Sequence, residues 1–296
     1  MNYLVLGATG NTGHIVAEEL LKYGQSVRVV GRSADKLAKL TALGAEACVA
    51  DLQKHDEVKR AFEGVEAAYV LIPPNFAAPD FRKYQDEVTD NVTDAIASGG
   101  TKYAVTLSSI GAQSATGVGP VNGLHYLETQ LDGIPDLNTL HVRAGFFMEN
   151  LFGSLGMIKN MNFYGAATPA DAPWPLICAS DIGHYSANRL KALNFNGKNV
   201  QYLLGPRDVS GSEAAVILGT ALELGVLPYV QFSYDDMKKG MVGAGLPEQF
   251  ADLFVELYNG FNNGLLTYRR DAESTTNTKL EDFAKAALRP AFDAIQ

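Results

Sequence analysis

The chain has 296 residues, 47% of them hydrophobic, and contains no apolar run near the roughly 20 residues that cross a bilayer. Its formal net charge of -9 disfavours a phosphate-backbone partner, because non-specific nucleic-acid binding draws on clustered Lys and Arg. These figures argue against a membrane-spanning protein and a direct nucleic-acid binder, and leave a globular chain of one large or two modest domains.

In chain order, the first half alternates short apolar runs with amphipathic stretches, the pattern of βαβ units and a parallel sheet covered on both faces. YLVLG is the first strand and HIVAEELLKYG the first helix; SVRVVGR and AEACVAD are the second and third strands, with the helix SADKLAKLTALG between them. DEVKRAFEG, AAYVLIPP, FRKYQDEVTDNVTDAIASGG and KYAVTLSS continue as helix, strand, long helix and fifth strand. After Ser109 comes a loop rich in small residues, then the helix LHYLETQLDGI and a sixth strand, LNTLHVRAGFF. The Pro- and Gly-rich segment at about 151–180 reads as a crossing loop that returns to the helix ASDIGHYSANRLKAL and the strand NVQYLLG. From 208 onward helical patterns dominate. The fold class is therefore α/β: a doubly wound Rossmann-type parallel sheet with a smaller, mainly helical C-terminal lobe. The expected division is 1–155, with a returning segment at about 176–207, against 208–296.

Cys48 and Cys178 are far apart and belong to no CxxC pair, so they read as buried free thiols of a reducing compartment. The five His residues show no metal-ligand spacing, and no metal is expected. The N-terminus enters a strand with no secretory signature, which points to the cytoplasm.

The bend between the first strand and helix reads LGATGNTG, placing Gly7, Gly10 and Gly13 in GxxGxxG spacing. Such glycines give a tight turn, close backbone approach to a pyrophosphate, and close packing of helix on strand. The helix beyond them points unpaired N–H groups and a partial positive charge at the same place. Thr9, Asn11 and Thr12 are expected to add side-chain donors. The second strand ends VVGRS, so Gly31 and Arg32 stand where an acidic residue would report NAD; with Lys36 one turn on, NADP(H) is favoured over NAD(H). The plain alternative makes Arg32 and Lys36 solvated charges at a helix start. Asp51 either accepts from the adenine amino group or caps the next helix. Leu52, Ile72, Pro73, Pro74 and Ser108, at the ends of the third to fifth strands, complete the expected cofactor wall.

Together with VVGRSADKL, LSSIGA after the fifth strand, VRAGFFMENL at 142–151, ASDIG at 179–183, GPRDVSGSEAA and TKLEDFAKAAL, this turn resembles the NmrA-like family, atypical members of the short-chain dehydrogenase/reductase superfamily. The resemblance runs over nearly the full length. It implies either a reductase, as in the quinone, azo or triphenylmethane dye and isoflavone-type reductases of the family, or an NADP-sensing regulator that acts through a protein partner. The superfamily's Tyr-x-x-x-Lys pair is absent, because Tyr126 in GLHYLETQL is followed by Gln130. His125 and Tyr126 are the candidate proton donors, with helix packing as the alternative for both. Hydride transfer to a quinone-like small molecule needs chiefly an oriented nicotinamide and an apolar slot. Candidates for that slot are Phe76, Phe146, Asn150 and Trp174, with Tyr84, Phe147, Phe163 and Tyr164 as further aromatic walls.

Overall fold

A computed structural model describes residues 1–295 and divides the chain into two compact units, one of Met1–Ala115, Pro120–Arg143 and Ile182–Gln201, the other of Thr116–Gly119, Ala144–Asp181 and Tyr202–Gln296. The first unit begins β1 (Asn2–Val5), α1 (Asn11–Lys22), β2 (Ser26–Gly31), α2 (Ala34–Ala42), β3 (Glu46–Val49) and α3 (His55–Phe62). It continues with β4 (Ala67–Val70), α4 (Phe81–Gly99), β5 (Tyr103–Ser109), α5 (Asn122–Asp132) and β6 (Asn138–Ala144). These are the expected elements in the expected order.

Beyond β6 the chain forms β7 (Phe146–Phe147), α6 (Leu155–Met161), β8 (Tyr164–Ala166), β9 (Pro173–Ile177), α7 (Ala179–Ala192) and β10 (Lys198–Leu203). The order of the seven-stranded sheet is β10-β6-β5-β4-β1-β2-β3, and β1 pairs in parallel with both β2 and β4. The strand order reverses at β1 and β4, so the crevice at their C-terminal ends is the switch point at which doubly wound sheets bind ligands.

Sequence periodicity accounts for these pieces. β4 is buried at every position, as a central parallel strand covered on both faces must be. Helix α4 buries Tyr84, Val88, Val92 and Ile96 at intervals of four; Asp80 caps its start by accepting from the Lys83 N–H at 2.9 Å, and Gly100 ends it at φ 71°. Leu4, Leu6, Val70, Phe62, Ile96 and Leu131 share one core.

The second unit has its own core, in which Met148, Leu155, Trp174, Leu218, Leu280 and Phe292 take part. Its remaining elements are β11 (Asp208–Ser210), α8 (Gly211–Ala221), β12 (Tyr229–Gln231), α9 (Tyr234–Gly243), α10 (Glu248–Asn262), α11 (Leu280–Phe283) and α12 (Arg289–Asp293). Strand β9 lies between β11 and β7, and β12 pairs in parallel with β8. The C-terminal portion is thus mainly helical, as expected.

Two expectations differ from this arrangement. The run LNTLHVRAGFF is two strands, because β7 leaves the large sheet and pairs instead with β9, Phe146 opposite Leu176 and Phe147 opposite Ile177. The second unit takes in residues 116–119, 144–155, 176–181 and 202–207, which the sequence placed with the first. Among the described residues no helix is long and apolar enough to cross a membrane.

Candidate functional site

The glycine turn is built as a backbone cradle. Gly7 adopts φ 61°, a left-handed conformation, and a Cβ there would lie 2.8 Å from a Leu71 methyl carbon. Its carbonyl accepts the Gly10 N–H at 2.9 Å, which closes the turn. A Cβ on Gly13 would sit 2.7 Å from the Gly7 carbonyl carbon and closer still to its oxygen, so only glycine lets α1 pack this tightly on β1. Gly10 is the N-cap of α1, with no side-chain cap and no acidic residue in the first turn, which leaves the N–H groups and dipole to an anion.

Two cavities flank this turn within the first unit. A compact one of about 110 Å³ is lined by Gly7, Thr9, Arg32, Asp51, Leu52 and Pro73, with Gly31 and Tyr84 in the same wall. An open depression of about 560 Å³ is lined by Thr9, Gly10, Asn11, His14, Lys36 and Lys39, with Asp35 among them. The cradle, the cation at the end of β2 and the strand ends around it fit a dinucleotide. Arg32 and Lys36 face different cavities, and Thr9 borders both.

Several other expected residues have other occupations. Thr12 is 4% exposed and packs inward from α1 instead of lining either cavity. Asp51 accepts the Gln53 N–H at 3.1 Å, while Lys54 takes the N-cap of α3; the carboxylate therefore does not cap that helix. Its own N–H donates to Glu57 Oε2 at 2.8 Å. Ile72 packs against the core of the unit, and Pro74 lies outside the lining of the compact cavity. Tyr84 lines the compact cavity and not the aromatic pocket: its hydroxyl donates to the Pro73 carbonyl at 2.8 Å and braces the LIPP turn, and burial pushes its pKa up to about 12. Ser108 is buried and donates to Glu128 Oε1 at 2.5 Å. Glu128 is itself buried and salt-bridged to Arg143 at 2.5 Å, so this serine is tied into an internal ion pair.

The two candidate proton donors on α5 are separated by the structure. His125 Nδ1–H donates to the Ala112 carbonyl at 2.8 Å, in the loop after β5, which leaves Nε2 as the acceptor of the neutral ring. Tyr126 turns toward α4, where its hydroxyl donates to Asp90 Oδ1 at 2.8 Å and its ring lies 5.5 Å from the Arg82 guanidinium. The Asp90 hydrogen bond raises the Tyr126 pKa. A superfamily tyrosine needs the opposite shift.

The second unit holds an aromatic pocket. Its larger chamber, about 320 Å³, is lined by Phe146, Asn150, Tyr164, Phe232, Phe254 and Tyr258, and also by Met237 and Met241. A narrower chamber of about 30 Å³ is lined by Trp174, Thr168 and Tyr229, and shares Phe146, Tyr164 and Tyr258. Trp174 stacks on Phe261 with ring centroids 3.7 Å apart and planes 10° apart, and meets Phe146 edge-on at 5.0 Å. Of the other expected slot residues, Phe163 packs on Phe232 at 6.0 Å, Phe147 is in β7, and Phe76 is exposed on the loop after β4, outside the lining of these cavities.

Sequence reading missed Tyr229, Phe232, Phe254 and Tyr258. The last two continue a four-residue aromatic spacing from Phe250 along α10, a signal equally typical of an ordinary core face. It also missed what Glu149 does: both carboxylate oxygens accept the Ala179 N–H, at 3.0 and 3.1 Å, and so cap α7. Asp181 accepts from the Thr278 hydroxyl at 2.8 Å and ties the start of the same helix to the C-terminal segment. The FFMEN and SDIG segments are thus joined by structural hydrogen bonds.

A family model described as NAD(P)H-binding matches residues 7–130. The chain is 30% identical over 260 residues to an NAD(P)H azoreductase of Xenophilus azovorans, covering 86% of this chain and 85% of that protein. It is 28% identical over 261 residues to a nitrogen metabolite regulation-like protein of Gibberella fujikuroi, covering 78% of this chain and 76% of the relative. An NADPH-dependent quinone oxidoreductase of Escherichia coli, solved in complex with NADPH, matches in fold with a TM-score of 0.82 at 22% identity, over 97% of this chain and 100% of that one.

Proposed function

The chain belongs to the NAD(P)H-binding, NmrA-like family of atypical short-chain dehydrogenases/reductases, and from that premise we propose that it is an NADPH-dependent reductase of a small, conjugated, quinone-like acceptor. The observation that carries this reading is the compact cavity in which Arg32, and no carboxylate at the end of β2, stands beside the Gly7 cradle. A guanidinium there forms charge-assisted hydrogen bonds to a 2′-phosphate, whereas the ribose hydroxyls of NADH offer it no charge. The azo and quinone substrates named for the relatives supply the acceptor class.

Bound NADPH would contribute the hydride. This chain's residues do the holding: the Gly7–Gly13 turn and the α1 N-terminus take the pyrophosphate, and Pro73, braced by Tyr84, stiffens the wall at the switch point. The aromatic pocket of the second unit takes the acceptor and excludes water from it. His125, whose Nε2 has no partner among the described residues, is the α5 residue retained for proton handling, and Tyr126 is not. The test is NADPH oxidation by purified protein across a panel of quinones and azo dyes. A panel with no acceptor above background overturns the assignment.

A second reading is an NADP(H)-sensing regulator. Two observations favour it: α5 lacks the superfamily's catalytic pair, with Gln130 in the lysine position and the Tyr126 hydroxyl bonded to Asp90, and one relative is named for nitrogen metabolite regulation. Capture of a protein partner that changes with NADP(H) occupancy supports it, and capture indifferent to the nucleotide rejects it.

A further inference from the structure

The pocket of the second unit is chemically one-sided. Among the described residues, no Lys, Arg, His, Asp or Glu lines its larger chamber. Its polar side chains are Asn150, Ser154 and two tyrosine hydroxyls, set among phenyl rings and methionine thioethers. Tyr164 and Tyr258 border both chambers, and neither hydroxyl has a hydrogen-bond partner among the described residues. Tyr229 makes the contrast plain. The β8–β12 register sets it beside Tyr164 with ring centroids 5.8 Å apart, yet its hydroxyl is committed, donating to the Thr168 carbonyl at 2.8 Å.

Tyr164 and Tyr258 are both half-buried and line the same cavity, and a hydroxyl that no protein group satisfies is available to donate to a ligand's acceptor atom. Burial pushes the pKa of Tyr258 up to about 12 and that of Tyr164 upward as well, so both groups stay protonated donors near neutral pH. At about 320 Å³ the chamber lies at the small end of the range for ligand pockets, about 300–1,000 Å³.

We propose that Tyr164 and Tyr258 donate hydrogen bonds to the oxygens of a flat, uncharged quinone, and that the chamber discriminates against anionic analogues. The proposal rests on the reductase reading and refines its substrate class. Two carbonyl oxygens accept from two donors, while the ring lies among the aromatic walls. A sulfonate or carboxylate would enter with no cation to compensate its lost hydration. Reduction adds a hydride and a solvent proton to the quinone and gives the hydroquinone and NADP+. The tyrosines keep their protons, and their hydrogen bonds strengthen as the quinone oxygens gain negative charge.

Trp174 is the single tryptophan of the chain and lies 5.6 Å from Tyr258, so its fluorescence reports occupation of the pocket. The experiment titrates wild type, Tyr164→Phe, Tyr258→Phe and the double variant with 1,4-naphthoquinone and with its 2-sulfonate, in saturating NADP+, and measures NADPH-linked turnover in parallel. Saturable quenching by the neutral quinone is expected, weakened about three- to tenfold for each lost hydroxyl. The sulfonate should bind at least about tenfold more weakly than the neutral quinone, for want of a cation. Equal affinity of the double variant and wild type, or of the sulfonate and the neutral quinone, overturns the proposal. Tyrosine-dependent quenching without turnover upholds the pocket assignment and rejects the reductase reading; turnover with tyrosine-independent quenching does the reverse.

Discussion

The Tyr126 hydroxyl donates to Asp90 at 2.8 Å, and this bond fastens α5 to the neighbouring helix α4. The neighbouring residue, His125, instead reaches the Ala112 carbonyl in the loop after β5. Adjacent positions on a helix point about 100° apart, so the two side chains serve different surfaces.

Tyr126→Phe should therefore leave kcat/KM within twofold of wild type and cost about 1 kcal/mol or less, because a half-exposed bond is screened by water. His125→Asn keeps an N–H for Ala112 and removes Nε2. If Nε2 handles a proton, kcat falls by about 10²-fold or more with little change in melting temperature. Steady-state kinetics beside thermal melts separate the two cases, and an unchanged kcat in His125→Asn removes it from the chemistry.

Arg32→Asp should weaken NADPH binding by about 1–3 kcal/mol more than NADH binding, through loss of a charge-assisted phosphate contact. Calorimetric titration with both nucleotides reads the difference. Equal losses would mean that Arg32 is only a solvated charge.

Gly13→Ala inserts a methyl group against the Gly7 carbonyl, where the nearest backbone atoms cannot yield without lifting α1 from β1. Overpacking of this kind costs about 1–3 kcal/mol, and the displaced helix start should also lose nucleotide affinity. Chemical denaturation and nucleotide titration of one variant test both effects together.

Glu149 predicts a pH dependence. Burial raises its pKa, and the hydrogen bond from Ala179 only partly offsets that effect. Between the ordinary carboxyl value and the raised native one, the folded state binds more protons than the unfolded state. This group's contribution to stability therefore falls as pH rises through that window and is level above it. Denaturation from acid to neutral pH should show a shallower decline for Glu149→Gln than for wild type, and parallel curves would contradict it.

The strands of the parallel sheet were legible because parallel strands covered on both faces are short apolar runs, and YLVLG, AAYVLIPP and KYAVTLSS are such runs. The cradle was legible for a related reason: glycines at Gly7 and Gly13 are demanded by local backbone geometry, and local geometry is written in spacing. Ser108 and Thr12 were not, since the sequence places them at strand and helix ends without saying which way they turn. The buried Glu128–Arg143 pair that takes Ser108 joins residues 15 apart, and nothing in the spacing announces it. The aromatic pocket of the second unit was half legible: Phe146, Asn150, Tyr164 and Trp174 belong to it, but Tyr229 and Tyr258 arrive from distant segments through β-pairing and helix packing that no pattern specifies.

The interleaving of the two units bears on how the protein is made. Residues 144–181 leave the ribosome before 182–201, which complete the first unit, and before 202–296, which complete the second. Strand β9 thus emerges with β7 as a partner on one side and an open edge on the other until Asp208–Ser210 follow. No single cut separates the chain into two pieces that each carry a whole unit, because the first unit needs residues up to 201 and the second needs residues from 116. Gene fusion or domain exchange in this protein must therefore transplant interlaced segments, and a nascent chain arrested before 208 exposes the β9 edge for a holdase to cover.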